Sequence, residues 1–440
     1  MKNLNSMGVK CKIGVLADDL TGASDVGVQF RKAGLNVTVL IQREMVLEAL
    51  VRSEVVVVDT ESRHLDADQA YRVSRENASL FTQHGIRSLY KKVDSTLRGN
   101  IGAEIDGVMD ATGVRLCAFA PAFPINGRTT LGGFQLVDGV PLEKTGAGRD
   151  ILSPVQLSHV PSIIAIQSKR KVTSVFLDRI RRGEAALAKH LTEVTGQGKE
   201  IIVMDAERQD DLRLVARALS LSGLSYIAAG SAGLAAELPE AIGAVGELRR
   251  EGVVRRGRGI LVVVGSATSI STEQVRVASQ DSSVSLVQLE VKRHLPDCID
   301  RKYLEEVIAI VVAQLSKGHD VLVSVARADR QIGKFEESEL ILQLLAQIAR
   351  TAVLSDSVHG LVLTGGDTAV AVFQALGAIG LDVYEEVLPG IPLGCIIGGE
   401  ANGMSVVTKA GGFGPNEALI GAIRRLRLGS AEYLRKAPLR

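Results

Sequence analysis

Short apolar runs alternate with helical patterns along the first half of the chain. The runs have the length and content of buried strands, and they cover residues 13–17, 37–41, 55–58, 86–93, 116–120, 201–204 and 226–229. A helical pattern follows the first run and continues to about Ala33, where Gly34 ends it, and another extends from Asp66 to about Thr82. This alternation predicts an α/β fold with a mostly parallel sheet and helices on both faces.

Residues 121–161 interrupt the alternation. Proline and glycine punctuate this segment at Pro121, Pro124, Gly127, Gly132, Gly133, Gly139 and Pro141. The pattern predicts a long structured loop or hairpin, and such loops are often functional. Whether it contacts a substrate, closes a site or joins a neighbouring subunit is left open.

A second α/β segment follows a stretch rich in Gly, Glu and Arg at residues 239–259. Its predicted strands are residues 260–264, 321–325, 361–364 and 395–397, and a long helix covers about 334–352. A chain of 440 residues is too long for one ordinary core. We therefore predict two domains, residues 1–240 and residues 255–440, each with a mostly parallel sheet flanked by helices.

Charge and cysteine content narrow the class of protein. The net charge is +1, and the basic residues are spread along the chain. Basic clusters occur only at 169–171 and 249–258, and we interpret both as solvated segments. The charge distribution therefore does not indicate nucleic-acid binding. Cys11, Cys117, Cys298 and Cys395 form no CxxC pair, and so few cysteines fit a reducing compartment. Without a signal core or an apolar run near the ~18 residues of a membrane helix, the chain is expected to be cytoplasmic.

Two carboxylates, Asp18 and Asp19, follow the first predicted strand and precede a helix. Ligands of open α/β sheets bind at the carboxyl ends of strands, where carboxylates can accept hydrogen bonds from sugar hydroxyls or hold a metal. Asp19 or Thr21 can cap the helix, but two aspartates exceed what a cap needs. The pair therefore predicts a ligand site.

A second polar constellation fills residues 91–100 after the strand 86–93. Lys92 and Arg98 can hold a substrate carboxylate, and Asp94 can bind a hydroxyl or take its proton. A turn with local side-chain-to-backbone bonds is the alternative. The density of different polar types in ten residues favours a site.

The second half of the chain has three glycine turns, which we interpret as lying at strand ends. They are Gly365-Gly366-Asp367-Thr368, Gly265-Ser266 and Lys409-Ala410-Gly411-Gly412-Phe413-Gly414-Pro415. Backbone N–H groups at such strand–helix turns cradle phosphates, so three of them predict a nucleotide cleft. The chain lacks GxxxxGK[ST], a strict GxGxxG at the first turn and GxSxG, which excludes a P-loop kinase and disfavours a Rossmann dehydrogenase.

An ordered set of short motifs spans nearly the whole chain. The set is Ala17-Asp18-Asp19-Leu20-Thr21-Gly22, Lys92-Val93-Asp94-Ser95-Thr96-Leu97-Arg98-Gly99-Asn100, Pro121-Ala122-Phe123-Pro124, Asn126-Gly127-Arg128-Thr129-Thr130, Gly365-Gly366-Asp367-Thr368 and Lys409-Ala410-Gly411-Gly412-Phe413-Gly414. Together these motifs resemble the four-carbon acid sugar kinase family. Ala410 departs from the family pattern, which has Ser there; this removes a hydroxyl but not the backbone contacts.

The resemblance implies a function for each domain. It implies an N-terminal sugar-acid-binding domain, a C-terminal nucleotide-binding domain, and an active site in the cleft between them. The implied reaction is ATP-dependent phosphorylation of the terminal (4-) hydroxyl of a four-carbon sugar acid. The Asp-Ser-Thr-Leu-Arg-Gly segment at Asp94 to Gly99 looks more like D-threonate or D-erythronate kinases than 3-oxo-tetronate kinases.

The resemblance also implies roles for individual residues. The substrate site is expected to contain Asp18, Asp19, Lys92, Asp94, Ser95 and Arg98. The nucleotide site is expected to contain Ser266, Gly365, Gly366, Asp367, Thr368 and Gly411. Either Asp94 or Asp19 accepts the proton, and this choice is open. Mg²⁺ is expected with ATP; its protein ligands are not identified, although Asp367 is one candidate.

Three alternatives compete with this reading. A 3-oxo-tetronate kinase differs only in substrate. An NAD-dependent hydroxy-acid dehydrogenase is disfavoured because Asp18 and Asp19 would repel a pyrophosphate. A non-catalytic sugar-acid sensor would bind ligand without releasing ADP, and it has little need of three phosphate-type turns. The sequence is compatible with a homo-oligomer but does not fix the oligomeric state.

Overall fold

The computed structural model describes residues 8–150, 153–195, 200–247, 258–290, 300–325 and 335–428. Cys298 and most of the basic cluster at 249–258 lie outside these ranges. The chain divides into two compact units, unit 1 (Met1–Leu248) and unit 2 (Arg249–Arg440). None of the helices in the described ranges is long and apolar enough to cross a membrane.

Unit 1 is built on a parallel sheet. Its strands are β1 (Ile13–Ala17), β2 (Val37–Leu40), β3 (Val55–Asp59), β4 (Ser88–Lys92), β5 (Leu116–Ala120), β6 (Arg128–Leu131), β7 (Phe134–Val137), β8 (Val140–Pro141), β9 (Lys171–Val175), β10 (Glu200–Met204) and β11 (Tyr226–Gly230). The main sheet has the order β2-β3-β1-β4-β11-β5-β10-β9, and all its pairings are parallel.

Helices connect these strands. They are α1 (Leu20–Lys32), α2 (Val46–Arg52), α3 (Ala67–Gln83), α4 (Ile101–Thr112), α5 (Val160–Gln167), α6 (Leu177–Ile180), α7 (Glu184–Val194), α8 (Gln209–Leu221), α9 (Ala232–Ala235) and α10 (Leu238–Ala241). Strands such as β3, with four consecutive buried valines, are apolar throughout because helices cover both faces of the sheet.

The irregular segment predicted at 121–161 contains a small separate sheet. Strands β6, β7 and β8 pair antiparallel in that order, with Arg128 opposite Val137 and Leu136 opposite Pro141. The hairpin predicted from the proline and glycine pattern is therefore confirmed.

Unit 2 has a mixed sheet. Its strands are β12 (Gly259–Val264), β13 (Val284–Leu289), β14 (Asp320–Val325), β15 (Val358–Thr364), β16 (Gly380–Leu388), β17 (Ile391–Ile397) and β18 (Ser405–Lys409). Its helices are α11 (Ser269–Ala278), α12 (Arg301–Ser316), α13 (Phe335–Leu354), α14 (Gly366–Ala375) and α15 (Ala418–Arg427). The strand order β13-β14-β12-β15-β18 is parallel, and β17 and β16 continue it antiparallel.

The predicted α/β class is confirmed in both units, but the apolar pattern missed some strands. Strands β9 and β13 lie at the ends of their sheets; β13 alternates covered with more exposed residues, and in β9 only Val175 is buried. An end strand has only one neighbour, so it does not need a continuous apolar run.

One solvated cluster was predicted wrongly. The Arg170 side chain is only 8 % exposed and is paired with Asp106 and, at 3.0 Å, with Asp110 of α4. Its neighbour Lys171 remains 68 % exposed, as predicted. A basic run in the sequence does not show which of its members meets a carboxylate across the fold.

We predict that Gly107 is required for the close approach of α4 to α3. A Cβ at this position would overlap the backbone oxygen of Tyr71 and lie 3.0 Å from the backbone nitrogen of Arg75. Gly107→Ala should therefore destabilise the fold by about 1–3 kcal/mol, although alanine favours a helix. Urea unfolding of the full chain measures this loss.

The matched control is Gly146→Ala. A Cβ at Gly146 has no heavy atom within 4 Å, and the backbone there is right-handed helical. This substitution should change stability by less than ~0.5 kcal/mol. Equal unfolding midpoints for the two variants would contradict the proposed helix contact.

Candidate functional site

The carboxyl ends of three neighbouring strands bring polar side chains together in unit 1. In the sheet register, Ala17 at the end of β1 is opposite Asp59 of β3 and Lys92 of β4. Asp18 follows β1 directly. Strands β2 and β3 lie on one side of β1, and β4 lies on the other. Successive strands are therefore added on opposite sides of β1, although all of them run parallel. Such a switch point is the usual ligand position in an open α/β sheet.

Arg63 links the two predicted aspartates. Its Nε donates to Oδ2 of Asp18 at 2.8 Å, and its Nη2 donates to Oδ1 of Asp19 at 2.5 Å. Asp19 also caps α1, accepting from the Gly22 N–H at 3.0 Å and from the Thr21 hydroxyl at 2.6 Å. Both oxygens of Asp19 are therefore occupied by the protein itself. The predicted cap at Asp19 is confirmed.

The protonation states of the acids in this cluster differ. Burial acts to raise the pKa of Asp19, but the charges of Arg63 and Lys92 outweigh it and the pKa is lowered. Burial raises the pKa of Asp59 well above its ordinary value, and the charges of Asp19, Glu61 and Asp18 add to the rise. The same cluster thus shifts the pKa values of Asp59 and Asp19 in opposite directions.

Asp59 has only one engaged oxygen. Its Oδ1 accepts from the Glu61 N–H at 3.0 Å, and its buried Oδ2 has no hydrogen-bond partner among the described residues. Oδ1 of Asp18 is likewise buried without a hydrogen bond there. Buried acceptors of this kind cost stability, which is characteristic of functional positions.

Asp94 is held by one of its oxygens. Its Oδ2 accepts from the Thr96 hydroxyl at 2.5 Å and from the Arg98 Nε at 2.6 Å. Burial acts to raise the pKa of Asp94, but Arg98 and Arg63 hold it well below its usual range. Within the described ranges, its Oδ1 makes no hydrogen bond. One ionised oxygen of Asp94 is thus available to a ligand.

Two cations beside this loop have unused donors. The Lys92 side chain is 3 % exposed as a residue, and the only hydrogen bond of its Nζ to any described residue is donated to the Val93 carbonyl at 2.8 Å. Arg98 donates from Nη1 to Asp150 at 3.1 Å, while its Nη2 bonds to none of the described residues. An ammonium and a guanidinium with free donors suit a carboxylate ligand.

The backbone of this region is strained. Leu97 (φ 61°) and Glu61 (φ 46°) adopt left-handed conformations that non-glycine residues rarely take. They lie in the loops after β4 and β3, on either side of β1. Strained backbone of this kind costs of order 1 kcal/mol per residue and clusters at functional sites.

The small antiparallel sheet supports the 94–100 loop. The buried Gln135 of β7 donates to the carbonyl of Ser95 at 2.8 Å and accepts from the Thr130 hydroxyl at 2.6 Å. The charge of Asp94 acts on Arg128 of β6, whose pKa burial lowers. Part of the 121–161 segment therefore braces the candidate substrate loop from within the same chain.

A cavity of about 330 Å³ adjoins this cluster. Arg63, Leu97 and Gly99 are in its wall, and much of the remainder is apolar, including Val155 and Ile163. None of Asp18, Asp19, Lys92 and Asp94 lines it. We therefore place the candidate site at the polar cluster and not in this cavity.

The three predicted glycine turns of unit 2 converge. They follow β12, β15 and β18, which are neighbours in the sheet, and Thr364 is opposite both Val264 and Lys409. A Cβ on Gly265 would overlap the Thr368 hydroxyl, and a Cβ on Gly411 would overlap the Ser266 hydroxyl. All six residues predicted for the nucleotide site therefore lie in three turns that contact one another.

The turn after β15 opens α14. Gly365 has φ 104°, a conformation that favours glycine, and Gly366 is the first helical residue. The N–H groups of the first helical turn have no intrahelical partner, and the helix dipole makes this end electropositive. Asp367 is exposed in this turn, and Thr368 is buried.

Carbonyl groups of the turn after β18 accept hydrogen bonds from side chains of α11 and of its cap residue Thr268. Thr268 and Ser271 each donate a hydroxyl to the Gly411 carbonyl at 2.9 Å. Gln274 donates through Nε2 to the carbonyls of Phe413, Gly414 and Pro415 at 2.9–3.1 Å. In the part of the chain that the structure describes, the N–H groups of Gly411, Gly412 and Gly414 make no hydrogen bond. Fixed carbonyls and free N–H groups are the arrangement of an anion-binding turn.

Sequence reasoning missed several residues of both clusters. Asp59 carries the same signal as Asp18, a carboxylate at the end of an apolar strand, and could have been found by it. Arg63, Gln135 and Gln274 carry no such signal, because each reaches its cluster from another element. Among the described residues, no group of three or more His, Cys, Asp or Glu is arranged to hold a metal.

Both units thus define an α/β protein with polar sites at the carboxyl ends of its strands. Residues 13–238 match the family model of a sugar-binding N-terminal domain, and residues 261–419 match that of a nucleotide-binding C-terminal domain. The chain is 36 % identical to D-threonate kinase of Salmonella typhimurium over 425 residues, covering 94 % of this chain and 97 % of that protein. It therefore belongs to the four-carbon acid sugar kinase family, and the resemblance read from the motifs is confirmed.

Two further comparisons agree with this assignment. D-erythronate kinase of Heliobacterium modesticaldum is 35 % identical over 423 residues, covering 92 % of this chain and 94 % of that protein. A crystal structure from Salmonella typhimurium LT2 has a TM-score of 0.78 at 24 % identity, and the match covers 94 % of this chain and 99 % of that one. At that identity, the likeness to the crystal structure shows the shared fold alone.

We predict that Asp59 lowers stability at neutral pH. The pKa of Asp59 is raised in the folded state. Its contribution to the free energy of unfolding is therefore fully present below the unfolded pKa of about 3.9, and it is lost as the pH rises through the folded pKa. Asp59→Asn, which cannot ionise, should be more stable than the parent at pH 7.5 by at least about 1 kcal/mol. Near pH 4 this gain should shrink. Urea unfolding at the two pH values tests this prediction; an equal difference at both would contradict a raised pKa of Asp59.

Proposed function

We propose that this protein is an ATP-dependent kinase that phosphorylates the terminal (4-) hydroxyl of a four-carbon sugar acid, with D-threonate or D-erythronate as the preferred substrate. The observation that carries the proposal is the anion-binding turn 410–414, whose carbonyls are held and whose glycine N–H groups are free, next to two further glycine turns. The kinase names of the relatives that match over most of the chain support it.

Unit 1 is proposed to bind the sugar acid. Lys92 and Arg98 supply the unused cationic donors for the substrate carboxylate. Ser95, Asp18 and Asp94 offer hydroxyl and carboxylate groups for the hydroxyls of the sugar chain. Arg63 is proposed to keep Asp18 and Asp19 in place and to balance their charge.

The geometry favours Asp94 over Asp19 as the group that meets the reacting hydroxyl. Asp19 uses both oxygens as a helix cap and as a partner of Arg63, whereas Asp94 leaves Oδ1 unused. A low pKa makes Asp94 a weak base. Phosphoryl transfer has a loose transition state that depends on positioning and charge neutralisation more than on proton abstraction, so a weak base suffices.

Unit 2 is proposed to bind ATP. Among the described residues, the N–H groups of Gly411 and Gly412 make no hydrogen bond, and these groups are proposed to bind the phosphates. The start of α14 adds its dipole, whereas the Gly365 N–H is already bonded to the Lys409 carbonyl. Mg²⁺ would arrive with the nucleotide and neutralise phosphate charge. It is usually held by one or two carboxylates plus phosphate oxygens, so the exposed Asp367 suits it without a larger cluster.

The proposed reaction is a transfer of the γ-phosphoryl group of ATP to the terminal hydroxyl. The terminal hydroxyl oxygen bonds to the γ-phosphorus, the bond to the β,γ-bridging oxygen breaks, and ADP leaves. The hydroxyl proton passes to Asp94 or to solvent. The predictions of an active site in a cleft between the domains, of a cytoplasmic location and of a homo-oligomer stay predictions.

Substrate turnover tests the proposal directly. We expect ADP release from Mg-ATP with D-threonate or D-erythronate, and far less with the L-isomers, with 3-oxo-tetronate or without any acid. Coupled-assay rates across this panel, with phosphorylated product identified by mass spectrometry, give the answer. ADP binding with no turnover on any acid would reject the substrate class, and a main activity on 3-oxo-tetronate would replace the preferred substrate.

Two aspartate variants separate the candidate proton acceptors. Asp94→Asn should lower kcat by about 10²–10⁴-fold and leave ADP affinity unchanged, because it removes the free carboxylate oxygen. Asp19→Asn should cost more stability and a smaller factor in kcat, because Asp19 acts through its cap and through Arg63. Steady-state kinetics and ADP calorimetry on both variants measure this. A larger loss of kcat in Asp19→Asn would reverse the assignment.

A further inference from the structure

Lys409, the last residue of β18, is a buried cation that forms no ion pair with any described residue. It is 1 % exposed, and its Nζ donates to the carbonyls of Ala410 at 2.8 Å, Phe413 at 3.0 Å and Gly411 at 3.4 Å. Three acceptors use all three N–H groups of an ammonium. Within the described ranges, no carboxylate lies within 4.0 Å of it.

The burial of this charge is costly. A lone buried ammonium loses its hydration without gaining an opposite charge, so burial lowers the pKa of Lys409 to about 7. No other titratable group contributes to the shift. The side chains that reach the same turn from α11 and its cap, namely Thr268, Ser271 and Gln274, are uncharged.

Lys409 is placed between two of the glycine turns. Its own carbonyl accepts from the Gly365 N–H at 2.9 Å, and its ammonium holds the carbonyls of the turn that follows it. The free N–H groups of Gly411 and Gly412 belong to that same turn. The ammonium is therefore bonded to the same turn that carries the N–H groups proposed to receive phosphate.

We propose that Lys409 is a positioning residue of the nucleotide site, which holds the 410–413 turn in its anion-binding form and whose missing counter-charge is supplied by the phosphates of bound nucleotide. This inference rests on the proposed function only in that unit 2 binds a nucleotide. It does not depend on which acid is phosphorylated. Because its three N–H groups are engaged, Lys409 acts through the turn and through space and does not bond to phosphate.

A proton linkage follows from this arrangement. Negative phosphates favour the charged amine, so nucleotide binding should raise the pKa of Lys409 from about 7. Below that pKa the lysine is already charged and binding takes up no proton there. Above it, binding takes up as much as one proton, and ADP affinity should fall by about tenfold between pH 7 and pH 8.5.

Gln274 offers a matched control. Its Nε2 lies 2.9–3.1 Å from three carbonyl oxygens of this turn, which share its two N–H groups, but an amide does not titrate. Gln274→Leu should weaken ADP binding by loosening the turn and yet keep the proton uptake. Lys409→Met should weaken ADP binding and abolish the uptake.

Calorimetry of ADP binding to the full chain tests the proposal. Titrations at pH 8.0 in buffers of different ionisation enthalpy give the number of protons taken up, and titrations from pH 7 to 8.5 give the change in affinity. We expect close to one proton in the parent and in Gln274→Leu, and none in Lys409→Met. An absent uptake in the parent, or an equal uptake in Lys409→Met, overturns the proposal.

The experiment still tests the role of Lys409 if one of the variants does not fold. Circular dichroism first establishes that each variant is folded; if Lys409→Met does not fold, the parent titration alone still decides. Proton-linked ADP binding without turnover of any four-carbon acid would reject the proposed substrate and retain the role of Lys409. Turnover without proton linkage would reject the role of Lys409 and retain the kinase.

Discussion

The parallel alignment of strands is the constraint on which both candidate sites depend. Parallel neighbours end at the same edge of a sheet, so residues that follow separate strands meet there although they are far apart in sequence. In unit 1 this alignment places Asp18, Asp59 and Lys92 side by side. In unit 2 it brings together the turns after β12, β15 and β18. The helix α14, which begins at the turn after β15, adds its electropositive end to the same edge.

The two units handle buried charge differently. Unit 1 balances its charges internally, since Arg63 binds Asp18 and Asp19, and Arg98 binds Asp94. A balanced set can remain ionised when buried, and a small ligand with one carboxylate needs only the spare donors. Unit 2 buries the ammonium of Lys409 against backbone carbonyls, and the same turn offers uncharged N–H groups. This arrangement leaves room for a ligand that carries several negative charges.

Both clusters contain residues in conformations or environments that lower the stability of the fold. Leu97 and Glu61 adopt left-handed backbone, Asp59 is buried without a charge partner, and Lys409 has a lowered pKa. The surrounding structure holds these groups in place; in unit 1, for example, Gln135 bonds to the loop that contains Leu97. Such costs persist where the free energy of folding is large enough to carry them and a ligand benefits from the fixed geometry.

The sequence by itself determined the fold class and most of the ligand-facing groups. Apolar runs marked most of the central strands because those strands are buried on both faces, although the buried strand β18 was missed. Polar or glycine residues at strand ends marked the sites, from Asp18 to Gly411. Only the tertiary structure showed which side chains from other elements hold these ligand-facing groups in place. Arg63, Gln135 and Gln274 reach their clusters from a loop, a separate sheet and a helix, and nothing in their local sequence records the partner. It also decided which oxygens stay free, on Asp94 but not on Asp19, because hydrogen-bond partners depend on distances in space that residue order does not contain.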